Sequence, residues 1–250
     1  YVAVTDLLTY LIKYFRGAVK TACTPYMIYV IVGGMNITLF FLTFAPPILI
    51  LAYIIKADKF SEPIAAIVKV FLLGVFITGF AGYFNALLIP EGSNRHYLAG
   101  LTEESLKYMV LFFYVRKQNY FDEPMDAIVY GVLVSLGFAT LENYEYVTRF
   151  IEHGQDVAIL RAFSAIPLHA MCGVIMGFYF GMANFYKGGN NYVKALLIPI
   201  CIHGLYNFVA GYSFHLTTIF ILVLFFHAKR LHHQFVILQQ NKTREAQPKL

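Results

Sequence analysis

No tryptophan occurs in the 250 residues, only three are cysteine, and only 13% are Asp, Glu, Lys or Arg. Soluble domains carry about a quarter charged residues, so the shortage of charge excludes an ordinary soluble domain. With 59% hydrophobic residues, it also excludes a disordered or collagen-like chain. Cys23, Cys172 and Cys201 stand in apolar contexts without CxxC spacing and read as small core hydrophobes rather than metal ligands or a redox pair. The missing tryptophan leaves Tyr and Phe, 17% of the chain, to form any interfacial belt. A net charge of +5 comes from cations in short loops and the tail, a pattern that sets membrane topology and does not suggest nucleic acid. No cleavable signal peptide is expected from the first residues.

What the chain does have is long apolar runs. Their length and continuity predict an all-α, polytopic transmembrane helical bundle rather than an outer-membrane barrel, whose strands alternate polar and apolar. About seven core spans are predicted, near 37–55, 64–88, 98–115, 126–150, 159–186, 193–212 and 214–228. Pro46-Pro47 should kink the first, and the loops at 58–63, 90–94, 119–124 and 188–191 carry the expected breakers. Residues 21–55 hold no charge, about 52 Å of helix if continuous and more than one span needs. Gly33-Gly34 could divide that run. The expected organisation is an N-terminal amphipathic or membrane segment over 1–36, a membrane-embedded domain over 37–230 and a polar cytoplasmic tail over 231–250.

Cation counting orients the bundle. Lys56, Lys59, Arg116, Lys117, Lys187, Lys194, Lys229, Arg230, Lys242, Arg244 and Lys249 fall on one side, eleven in all. Arg95 and Arg149 fall on the other, joined by Lys13, Arg16 and Lys20 if residues 21–36 do not cross. The eleven-charge side is expected to be cytoplasmic, and the C-terminus with it.

Charge inside a span costs about 2.5–3.5 kcal/mol on insertion scales, so the exceptions are informative: Lys69, Glu103, Glu104, Lys107, Glu142, Glu145 and Arg161, with neutral-capable His169, His203 and Asn207. Helical rise places Glu103 about 8 Å, Glu142 about 12 Å, His169 about 15 Å, His203 about 14 Å and Asn207 about 8 Å below the outer ends of their spans. Polar groups that merely pair helices need not share a level, whereas a single buried site requires it. The level predicts an active site in the outer-leaflet half. Spacing adds that Lys107 can pair with Glu103 at i,i+4 or Glu104 at i,i+3, and that His203 and Asn207 share a face. Glu145, Arg161 and Lys69 read as mainly structural. Gly137, Gly173, Gly177 and Gly181 read as close-packing positions.

The same residues carry a family resemblance. Leu101-Thr102-Glu103-Glu104-Ser105-Leu106-Lys107 resembles the EExxK motif of PrsW-type membrane proteases. FDEPMDAIVYGVLVSLGFATLENY, from Phe121 to Tyr144, contains their FAxxEN signature, ending at Glu142 and Asn143. His169 preceded by Arg161, and the HGLYN run from His203 to Asn207, complete the pattern, which covers about residues 40–230. The wider group of CAAX-type prenyl endopeptidases is similar, but where its second motif places a histidine this chain has Glu142. The resemblance implies hydrolysis of a membrane-anchored protein near its extracytoplasmic side. In the family's regulatory setting, it implies the first cut in an anti-sigma factor during regulated intramembrane proteolysis.

Peptide hydrolysis needs an activated water, an oxyanion stabiliser and a proton donor for the leaving amine. The expected roles are water activation by Glu103 or Glu104 with help from His169, oxyanion stabilisation by His203 and Asn207, and orientation of a histidine or proton transfer by Glu142. Lys107, Asn143 and Arg161 would support them. No cofactor is expected. The alternative is a zinc ion held by His169, His203 and Glu103, although no HExxH marks one. The expected partners are a single-span membrane protein substrate and the lipid bilayer. A proton-coupled transporter is the reading from another class.

Overall fold

The computed structural model describes residues 35, 37–90, 92–186 and 189–246. Apart from Met35, the expected N-terminal segment lies outside the described residues, as does Cys23.

The fold is all-helical, with no strand among the described residues. Helix α1 is Ile37–Ala57 and runs through Pro46 and Pro47. Helix α2 is Ile64–Leu88, α3 is Ala99–Phe113 and α4 is Pro124–Arg149. The predicted fifth span is two helices, α5 at Gly154–Phe163 and α6 at Ala165–Phe185. They are separated at Ser164, whose φ of −127° and ψ of −74° leave helical geometry. Helix α7 is Asn191–Ala210. The last helix, α8, spans Phe214–Ala246 instead of ending near 228 as predicted, so its polar residues continue the apolar span as helix.

Among the described residues, six helical stretches are long and apolar enough to cross a membrane. At 15 residues, α3 is the exception. It is about 22 Å long, short of the roughly 30 Å hydrocarbon core. It nevertheless joins the end of the bundle that α2 reaches to the end from which α4 starts. Burial separates inner from outer helices. Along its most apolar stretch α4 is 83% buried, against 17% for α8. The outer faces of α1, α2, α7 and α8 display large apolar side chains such as Leu49, Leu72, Leu197 and Leu222, as lipid contact requires. Lys69 is also exposed, away from the site described below. Cys172 is core, whereas Cys201 is exposed on α7, so one of the two described cysteines departs from the core reading.

Helices α2, α4 and α6 approach backbone to backbone through glycine. A Cβ on Gly137 would sit 2.1 Å from the Phe71 carbonyl oxygen of α2, and one on Gly177 would sit 2.2 Å from that of Ala127 on α4. No side chain can yield there, because both obstacles are main chain. Gly137→Ala is therefore expected to force α2 away from α4 at a cost of about 1–3 kcal/mol, read as a lowered thermal midpoint of the detergent-purified protein. An unchanged midpoint would show that the two helices separate freely.

Candidate active site

Four helix ends meet at one end of the bundle. Glu103 and Glu104 lie in the second turn of α3, Glu142 two turns before the end of α4, His169 in the second turn of α6, and His203 two turns before the end of α7. Glu103, His169 and His203 each offer a ligating atom within 4.8 Å of the others, and the two imidazoles meet edge to face with ring centroids 5.0 Å apart. The site faces a cleft of about 1040 Å³ whose walls include Asn85, Glu103, Glu142, His169, His203 and Asn207.

The adjacent carboxylates have different surroundings. Glu104 is fully buried behind the cleft, where its Oε1 accepts from Lys107 Nζ at 2.7 Å and from His203 Nδ1 at 2.8 Å. Lys107 thus pairs with Glu104 rather than Glu103. Its ammonium also donates to His169 Nδ1 at 2.8 Å and lies 4.4 Å from the centre of the Phe138 ring. Glu103 lines the cleft. Its Oε1 accepts from Asn85 Nδ2 at 3.1 Å, and its Oε2 is buried without a hydrogen-bond partner.

These contacts fix the tautomers. An ammonium donating to His169 Nδ1 leaves the proton on Nε2, which donates to Glu142 Oε2 at 2.9 Å. A carboxylate accepting from His203 Nδ1 leaves that ring's Nε2 facing Glu103 Oε2 at 3.8 Å. With Nε2 unprotonated, both groups are acceptors and make no direct hydrogen bond to each other. The gap suits a water that donates to one of them, or a cation that both ligate.

Glu142 also accepts from Arg161 Nη2 at 2.7 Å. Arg161 Nε donates to Asn143 Oδ1 at 2.9 Å, while Asn143 Nδ2 donates to the Thr43 carbonyl of α1 at 2.8 Å. The break at Ser164 frees α5 from the line of α6, so Arg161 reaches α4 from the side instead of stacking two turns above His169. Asn207 is not brought into the cluster. Its Nδ2 donates to the His96 carbonyl at 3.1 Å, at the cleft wall. Asn85, which sequence reasoning passed over, is a site residue held in place by the Thr102 hydroxyl donating to its Oδ1. Its signal was an amide three residues from the end of an apolar span.

A zinc ion fits the donor set of two imidazoles and one carboxylate. Glu103 Oε2 has no other partner, and Glu104 behind His203 supplies the carboxylate that commonly steadies a ligating histidine. His169 has both ring nitrogens engaged and would have to give up one contact.

Comparison with known proteins identifies the family of this chain. A family model described as PrsW family intramembrane metalloprotease matches residues 62–229, which contain the whole cluster. Protease PrsW of Bacillus subtilis is 39% identical over 176 residues, 66% of this chain and 79% of its own. Protease PrsW of Geobacillus kaustophilus is 37% identical over 174 residues, 66% of this chain and 76% of its own. The Clostridioides difficile protease PrsW is 31% identical over 207 residues, 76% of this chain and 86% of its own. No solved structure matches. The chain belongs to the PrsW family of intramembrane proteases and is a multi-pass membrane peptidase.

Proposed function

We propose that this peptidase cuts a single-span membrane protein close to the extracytoplasmic end of its span, with Glu103 as the base that activates water. The observation that carries this reading is the asymmetry of the two glutamates. Each has one carboxylate oxygen without a hydrogen-bond partner, but Glu103 presents its own in a cleft wall, while Glu104 is sealed behind it by Lys107 and His203. A water in the gap between Glu103 Oε2 and His203 Nε2 would lose its proton to the carboxylate as it attacks. Glu104 acts on the reaction by orienting His203. Lys107 and Glu142 together hold His169 in the Nε2–H tautomer, and that N–H, on turning from Glu142, would donate to the developing oxyanion or the leaving amine. Cation counting supports an extracytoplasmic site, because the loops carrying Lys56, Lys59, Arg116 and Lys117 join helices at the opposite end. A cleavage of this kind suits the first cut in an anti-sigma factor. Quantitative membrane proteomics tests the substrate class. Cells with active enzyme should release the ectodomain of a single-span protein that cells with Glu103→Gln retain, and identical membrane profiles would refute it.

The 4.8 Å grouping of Glu103, His169 and His203 favours a second reading, in which those side chains hold zinc. The metal would supply an acidified water. Chelation separates the two. Metal-free catalysis is expected to survive exhaustive chelation of the purified enzyme, with no stoichiometric zinc in the sample. Loss of activity on chelation and its return with zinc would establish the second reading.

A further inference from the structure

Helices α2 and α4 touch in their middle turns and part toward the catalytic end. At Gly74 the contact is main chain, since a Cβ there would sit 2.2 Å from the Val134 carbonyl oxygen. One turn further on, Thr78 Oγ1 lies 3.4 Å from the Phe138 carbonyl oxygen. Beyond that point a Cβ on Gly79 or Gly82 meets no atom of the described residues within 4 Å. Both helices still line one cleft, α2 with residues from Thr78 to Ala86 and α4 with residues from Phe138 to Arg149. The cleft is thus the groove left where the two helices diverge, and the catalytic cluster borders it through Glu103, Glu142, His169 and His203.

The two walls differ in kind. Every residue that α2 gives to the groove is small: Thr78, Gly79, Ala81, Gly82, Asn85 and Ala86. Other faces of the same helix carry exposed Leu72, Phe76 and Leu87, the large apolar side chains expected against lipid. Small residues instead let a second helix approach closely. The facing wall is apolar near its rim, where Phe150 and Leu160 line the groove and are 49% and 54% exposed. Small residues alone would mark only a packing face. This face, however, leads to a group that awaits a partner. Glu103 is only 4% exposed, lines the same groove, and has an Oε2 with no hydrogen-bond partner. A peptide bond attacked from that oxygen has to lie in the groove, and a chain anchored by one span reaches it sideways from the bilayer.

We propose, on the basis of the single-span reading above, that the small-residue face of α2 from Gly79 to Ala86 is the docking surface for the transmembrane helix of the substrate. That helix enters from lipid, packs closely on Gly79 and Gly82, and buries its other side against Phe150 and Leu160. Its end is thereby brought alongside Asn85 and Glu103, where the chain is cut.

The groove has room for a steric test in the full-length chain. Gly79→Leu and Gly82→Leu each put a side chain into open space, so both should keep the parental melting curve in detergent. In cells each should cut the ectodomain release that depends on Glu103 by roughly tenfold or more, because the substrate helix can no longer approach. Leu72→Ala, on a face turned away from the groove, should release at the parental rate. Parental release by both leucine variants, beside a Glu103→Gln variant that releases nothing, would overturn the docking surface and leave the single-span reading intact. No Glu103-dependent release at all would refute that reading and the surface with it. A cross-link gives an answer even if the leucine variants fail to fold. p-Benzoylphenylalanine in place of exposed Ala86, in the Glu103→Gln chain, should attach on irradiation to the span of the same single-span protein whose ectodomain the active enzyme releases. Adducts confined to lipid, to residues 1–36 of this chain or to proteins that the active enzyme leaves uncut would overturn the proposal.

Discussion

Glu103→Gln is expected to lower proteolysis by about 10²–10⁴-fold, the usual contribution of a positioned general base, while leaving the thermal midpoint at or above that of the parent protein. The two readouts go together for a structural reason. Glutamine has the volume of glutamate and keeps a carbonyl oxygen for Asn85 Nδ2, the side-chain hydrogen-bond donor to Glu103 among the described residues. The oxygen it replaces is Oε2, which is buried without a partner, so the substitution removes an unpaired buried charge and no protein contact. What is lost is the group facing His203 Nε2 across 3.8 Å. Cleavage of a single-span substrate in reconstituted vesicles, measured beside the melting curve, checks both halves. Near-parental cleavage by Glu103→Gln would remove it as the base and return the role to Glu104.

The level of this site was readable from the sequence because helical rise is nearly invariant. Counting residues from span ends put Glu103, Glu142, His169 and His203 in one layer, and they meet there. The motifs singled out the same positions. Partner choice was not readable, because it depends on helix rotation. Lys107 is spaced to reach either glutamate and takes Glu104 along with His169, a contact between α3 and α6 that no local spacing encodes. Asn207 shares a face with His203, yet one turn further along it meets the His96 carbonyl. The break at Ser164 carries no glycine to announce it; Pro167 stands within the first turn of α6, where proline is tolerated. The length of α8 was misjudged because hydropathy stops marking a helix once it leaves lipid.

The Lys107–Glu104 pair should show the largest stability effects in the chain. Both side chains are fully buried and 2.7 Å apart. Removing one charge leaves the other in a low-dielectric interior, a change that costs about 3–5 kcal/mol in buried pairs. Glu104→Gln leaves the Lys107 ammonium facing a neutral amide oxygen, His169 Nδ1 and the Phe138 ring, with no carboxylate in hydrogen-bond contact. Lys107→Met leaves the Glu104 carboxylate with His203, whose ring already donates from Nδ1 and can take up a second proton at Nε2 to compensate in part. Glu104→Gln is therefore expected to be the more damaging of the two. The double variant Glu104→Gln/Lys107→Met removes both charges and should melt above either single variant, with a coupling of about 0.5–3 kcal/mol. It should nevertheless stay inactive, because His203 loses the carboxylate that orients it and His169 loses the donor that fixes its tautomer. Melting curves and vesicle cleavage on the four proteins of the cycle check this. Strictly additive losses would mean that the pair is uncoupled. Recovery of activity together with stability would mean that the pair serves only to hold α3 in place and does not orient the histidines.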